Sequence, residues 1–181
     1  MSHGSGKQDG ELLADFRPGY TIWRHRLPHV DVLVVQGEGG DLLAQDVEDG
    51  FNVLRGAVAE SARFVTFYDL TDGMKNLVPH APALLRFAAE VRRVAADRQD
   101  CLVAVCPNET VRNWVRWLLQ FASGSVPAVI VKSTAEGWNS IRDGPTSFDQ
   151  GEVLDSFGAE AAAPGQAAAA GPSVLGLPVS F

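Results

Sequence analysis

Between residues 20 and 141 the chain alternates short β-branched apolar runs with stretches whose apolar positions recur every three or four residues. Residues 20–27 (Tyr-Thr-Ile-Trp-Arg-His-Arg-Leu) alternate ring or aliphatic side chains with polar ones, the period-two pattern of a strand with one covered face. Pro28 and His29 then make a tight turn into residues 30–36, an apolar run broken only by Asp31, so the first two strands form a hairpin whose first strand is an edge. Leu43, Val47, Phe51, Leu54 and Val58 follow at helical spacing with Asp46, Glu48, Asp49 and Glu60 off the stripe, which predicts a helix with one apolar face.

The same unit then repeats. Residues 63–70 are a third strand, Leu84, Phe87, Ala88, Val91, Val94 and Ala95 define a second helix with Pro82 in its first turn, and residues 101–106 are a fourth strand stopped by Pro107. Asn108 is placed to cap a third helix whose buried stripe is Val111, Trp114, Val115, Leu118 and Phe121. Residues 128–131 are a fifth strand and residues 134–141 a last short helix. Continuous runs such as Val32–Leu33–Val34–Val35 need cover on both faces, and helices between successive strands supply it. The expected fold is therefore α/β, a mostly parallel five-stranded sheet with about four helices in the order ββαβαβαβα.

Composition bounds the rest. With 181 residues and 46% hydrophobic content the chain suffices for one domain with a real core. Residues 19–143 are the predicted domain. Residues 1–18 offer only Leu12, Leu13 and Phe16 as anchors and read as a loose arm. Residues 144–181 contain no Lys or Arg, are acidic and then rich in Ala, Gly and Pro, and read as a tail. The formal net charge of −7 argues against nucleic acid as a partner. No apolar stretch reaches bilayer length and no export signal opens the chain, so a cytoplasmic location and no membrane span are expected. Cys101 and Cys106 fall on one strand with side chains to opposite faces, a pair that reads as small buried hydrophobes. Neither a metal site nor a cofactor is expected.

In a parallel sheet, ligands and partners gather beyond the carboxyl ends of the strands. Asp69, Thr71 and Asp72 stand there after the third strand, followed by a loop carrying Lys75 and His80. Gly37, Gly39 and Gly40 have the place of a phosphate loop, but Glu38 sits among them and no lysine accompanies them. No serine, cysteine or second carboxylate stands at a fixed spacing from His80, so catalysis is not indicated. On the third helix Arg112, Arg116 and Trp117 lie opposite the apolar stripe, the composition of an interface anchor.

The succession of two strands and three strand-helix repeats, with residues 65–71 (Val-Thr-Phe-Tyr-Asp-Leu-Thr) and the closing strand and short helix of residues 129–141, resembles the STAS domain, the family of bacterial anti-sigma-factor antagonists and transporter tails. The resemblance implies a non-catalytic, regulatory protein-interaction module. Its partner, another protein, would meet Asp69, Thr71, Asp72, Lys75, His80, Asn108, Arg112, Arg116 and Trp117. It also implies a regulated serine at the start of the second helix, where this chain has Leu77, Val78, Pro79 and His80 and no hydroxyl. The alternative is a carrier or sensor of an apolar small molecule or lipid held in a slot beneath the second helix, lined by Phe64, Phe67, Leu77, Val78, Leu84 and Phe87. A small enzyme using Asp69, His80 and Asn108 is the third possibility.

Overall fold

The computed structural model describes residues 10–73, 77–122 and 126–142. Among them are six strands, β1 (Glu11–Phe16), β2 (Tyr20–Arg26), β3 (Asp31–Gly37), β4 (Phe64–Asp69), β5 (Gln99–Val105) and β6 (Ala128–Val131). The helices are α1 (Ala44–Glu60), α2 (Ala81–Ala95), α3 (Glu109–Ala122) and α4 (Thr134–Arg142), and a 3-10 turn, Val78–His80, precedes α2. The strands lie side by side in chain order; β1, β2 and β3 form an antiparallel meander, and β3 to β6 run parallel.

The α/β class and the four helices agree with the sequence pattern, whereas the strand count and order are corrected to six and βββαβαβαβα. The extra strand is β1, inside the segment expected to be a loose arm. Leu13, Ala14 and Phe16 pack against the core, the backbone completes the ladder that β2 would otherwise expose, and the Glu11 carboxylate lies 3.2 Å from Nε of buried Arg24. The same pairing makes β2 an interior strand rather than the edge its alternating pattern suggested. The 28–29 turn is as expected, with Leu27 N–H donating to the Val30 carbonyl at 3.0 Å and Arg26 opposite Asp31. Residues 1–9 and the tail of residues 144–181 lie outside the described residues.

Three successive crossovers step the same way across the sheet, so a common right hand puts α1, α2 and α3 on one face. That face carries Tyr20, Ile22, Leu33, Val35 and Phe64, packed with α1 and α2, and Leu102, Ala104 and Cys106, packed with Val115 and Leu119 of α3. The other face carries Val32, Val34, Val65, Phe67, Cys101, Val103 and Val105, and it receives α4 through Trp138 and Ile141. The cover is thus uneven, three helices against one. Cys101 and Cys106 do point to opposite faces; burial pushes their thiols up to about 12 and about 11, which leaves both protonated at neutral pH.

The α4 side is packed without slack. The Trp138 ring stacks on Phe67 at 5.1 Å between centroids and meets the edge of His25 at 5.2 Å. Gly137 lets the helix come this close: a Cβ there would lie 2.7 Å from the Phe67 ring. Gly137→Ala gains helix propensity but forces a shift in a filled layer, and the clash outweighs the gain. Urea unfolding of this variant is expected to show a net loss of about 1–2 kcal/mol; an increase in stability would mean that α4 is free to move off the sheet.

His25 adds a pH dependence to the same layer. Its Nδ1 is buried without a partner, and burial lowers its pKa from the ordinary 6.5. The unfolded chain therefore binds this proton more readily than the folded one. Stability is complete above pH 6.5 and falls as the pH drops from there toward the lower folded value. Unfolding midpoints measured from pH 7.5 down to 5 are expected to decline in the native chain and to flatten in His25→Phe; parallel curves for the two would contradict it.

Candidate functional site

The carboxyl ends of the parallel strands carry two different environments, one on each face of the sheet. On the α4 side, Asp69 ends β4 and accepts three hydrogen bonds: from Thr71 N–H at 3.0 Å, Thr71 Oγ1–H at 2.6 Å and Thr134 Oγ1–H at 2.9 Å. Since Thr134 is the first residue of α4, the carboxylate ties that helix to the sheet and closes its own turn. Asp69 and Thr71, read from sequence as partner-binding groups, are thus already occupied by each other, while Asp72 is exposed. Lys75 lies outside the described residues.

The remaining polar candidates are also held locally. Asn108 Oδ1 accepts from Val111 N–H at 3.2 Å and caps α3 as its position predicted. Arg112 donates to the carbonyls of Cys106 and Pro107, both at 3.1 Å, fastening α3 to the end of β5, and Arg116 donates to Asn113 at 3.0 Å. His80 Nε2 stands 3.1 Å from the Leu42 carbonyl, which joins the turn before α2 to the segment before α1. A second link joins the same two loops: Gly39 N–H donates to the Gly73 carbonyl at 3.1 Å, with both glycines at positive φ. Trp117 stands off the buried stripe and is 49% exposed. Asp69, His80 and Asn108 belong to separate local bonding sets, and no hydrogen bond joins any two of them.

On the other face the sheet and the three helices line an apolar cavity of about 110 Å³ that is partly open to solvent. Its floor is Tyr20, Val35, Tyr68, Leu102 and Ala104 of the sheet. Val47, Gly50, Phe51 and Leu54 of α1 form one wall, and Trp114, Val115, Leu118 and Leu119 of α3 form the other. Leu84 and Ala88 of α2 make the roof, and Leu42, Leu70 and Leu77 close it from the loops. A smaller void of about 30 Å³ continues past Tyr68 toward the amino ends of the strands. Among the described lining residues of the larger cavity none carries a charge.

The cavity lies where the sequence placed a slot, beneath the second helix, but mostly between other side chains. Leu77 and Leu84 do line it. Phe67 lies on the opposite face under Gly137 and Trp138, because the period of two turns it away from Tyr68. Phe64 and Phe87 are in solid core, Phe87 stacked on Phe51 with centroids 4.4 Å apart, and Val78 is 63% exposed. Of the small residues that make the space, Ala88 was read as part of the second helix's buried stripe, while Gly50 and Ala104 were not placed at the slot: small side chains mark a hollow only when the elements bearing them are known to face each other.

Tyr20 and Tyr68 are the hydroxyl-bearing residues of the wall. Tyr20 donates to the Asp46 carbonyl, passing so close over Gly50 that a Cβ there would meet its hydroxyl at 2.0 Å. Tyr68 has no hydrogen-bond partner among the described residues, and burial pushes its hydroxyl up to about 12. No family model, curated protein or solved structure matches the chain. Its function must therefore be read from its own geometry.

For the α4 side that geometry is structural. Replacing Asp69 with Ala removes three hydrogen bonds at the junction of β4 and α4, which water can partly replace, and should cost about 1 kcal/mol. Asn, which keeps one acceptor oxygen, should recover part of it. Equilibrium unfolding in urea measures both, and an Asp69→Ala protein as stable as the native chain would show that the junction holds without the carboxylate.

Proposed function

We propose that this domain binds an apolar small molecule in the cavity between its sheet and helices α1, α2 and α3. The observation that carries the proposal is the cavity of about 110 Å³, uncharged along its described lining. A filled core leaves few voids larger than a water molecule, so an apolar hollow of this size is packing space that the chain itself does not use. The scale is that of the roughly 150 Å³ apolar cavities that stay dry and take up benzene. An occupant of this site would restore the missing contacts and stabilise the folded chain by mass action.

Kinship with STAS domains belongs to the same proposal. It is supported by the sequential parallel strands with α1, α2 and α3 on one face and a short helix after the last strand, and a ligand-holding member is more consistent with this chain than a phosphorylation switch, given Leu77 to His80 where the serine would stand. Protein contact through α3 is the second possibility, supported by the 49% exposure of Trp117.

The test uses thermal unfolding in the presence of toluene and native mass spectrometry of freshly purified protein. Toluene at millimolar concentration is expected to raise the melting temperature by several degrees, and Ala88→Leu, which fills the roof, to abolish that response while raising basal stability by about 1–2 kcal/mol. No response to toluene in the native chain, together with a destabilised Ala88→Leu, would mean that the space is closed in solution.

A further inference from the structure

The cavity has one polar feature that its walls do not explain. Buried hydroxyls are normally paired, and this chain pairs the others it buries nearby: Tyr20 donates to Asp46, and in the adjoining smaller void Thr66 Oγ1 accepts from Gln99 Nε2 at 3.0 Å. Tyr68 differs in being only partly buried and unpaired. Its ring lies between the two voids and lines both, it keeps accessible surface although protein surrounds it, and its hydroxyl has no partner among the described residues. Because Tyr68 lines both voids, an occupant of either comes within reach of its side chain.

We propose that the Tyr68 hydroxyl is the polar anchor of the site and that its ligand is a small uncharged amphiphile, with a hydrocarbon ring or short chain and a single carbonyl, ester or alcohol oxygen that accepts the tyrosine's hydrogen. This rests on the cavity being a binding site, as proposed above. The phenol is a donor here because burial keeps it protonated far above neutral pH. An oxygen acceptor satisfies it, whereas a pure hydrocarbon leaves it stranded. A carboxylate or ammonium head is disfavoured, since no charged side chain among the described lining residues would compensate its loss of hydration. Size sets the body: the cavity admits a group on the scale of about six carbons, comparable to benzene in a roughly 150 Å³ cavity.

Three probes of similar bulk separate the possibilities by titration calorimetry on the full chain and on Tyr68→Phe: 2-hexanone, toluene and hexanoate. In the native chain 2-hexanone and toluene bind and hexanoate at pH 8 binds at least tenfold more weakly than the ketone. In Tyr68→Phe the ketone loses about five- to tenfold in affinity and toluene loses nothing. The variant also melts no lower than the native chain, because the hydroxyl it removes has no protein partner to lose. Unchanged ketone affinity in Tyr68→Phe, hexanoate binding as tight as the ketone, or a variant destabilised by several degrees would each overturn the anchor while leaving the cavity as a binding site. Failure of both 2-hexanone and toluene to bind the native chain would instead remove the site itself.

Discussion

The stacking of Phe51 on Phe87 decides where the helical layer sits. The two rings are nearly coplanar in orientation, 3° apart with centroids at 4.4 Å, and the Arg55 guanidinium stands 5.6 Å over Phe87 while pairing with Glu90 at 2.8 Å. The ion pair is partly exposed and contributes little by itself, but it closes the outer side of a contact that is otherwise apolar. Glu90 thus takes its partner from α1 rather than from its own helix. Helix α2 is thereby braced sideways against α1. Its second half reaches the sheet, with Val91 and Ala95 packed in the cluster that contains Phe64. Its first half presents only Leu84 and Ala88 over Tyr68 and Ala104, and the space between them stays open.

This arrangement divides the labour between the two faces. Opposite the cavity, Phe67, Trp138, Gly137 and Val103 are in direct contact, and Asp69 fastens the start of α4 to the end of β4. A domain that leaves a hollow on one face forgoes stabilisation there, and the filled α4 layer together with the antiparallel meander supplies the rigidity that keeps the sheet in register. Buried Arg24, whose Nη1 donates to Glu60 at 2.7 Å and whose Nε lies 3.2 Å from Glu11, ties the added strand β1 and the end of α1 to β2. The guanidinium is held in its charged form chiefly by the hydrogen bond to Glu60.

Much of this was legible in the sequence, and what was not has physical reasons. Strands covered on both faces announce themselves by continuous apolar runs, which is why β3, β4 and β5 are where residues 30–36, 63–70 and 101–106 indicated. Asn108 as a cap and Pro82 in the first turn of α2 follow from the local chemistry of helix ends, which needs no tertiary knowledge. Strand β1 was hidden because it has only a few apolar side chains, Leu13, Ala14 and Phe16, and its backbone pairing with β2 leaves little trace in side-chain pattern. The candidate site was legible only in outline. A region beneath the second helix was indicated, but its boundaries depend on which small residues of different elements face one another, and Gly50, Ala88 and Ala104 are more than ten residues apart in the chain. Asp69 attracted notice as a carboxylate at a strand end, yet its neighbour Tyr68, which faces the cavity, did not.

Tyr68 and Asp69 lie next to each other on β4 and serve opposite layers, and the elements around the cavity are fastened to that strand unequally. Strand β4 is paired on both sides along its length, so it cannot yield without breaking two ladders. Helix α1 is anchored through Tyr20 to the meander, and α3 through Arg112 to the end of β5. The first half of α2 has no comparable tie to the sheet. Its approach is fixed instead by the 3-10 turn before it, where His80 meets the Leu42 carbonyl, and by the link from Gly39 to Gly73. The start of α2 is thus held through its neighbours rather than by the sheet: through the His80 contact, the Gly39–Gly73 link and Arg86, whose guanidinium lies 3.8 Å from Glu48 of α1.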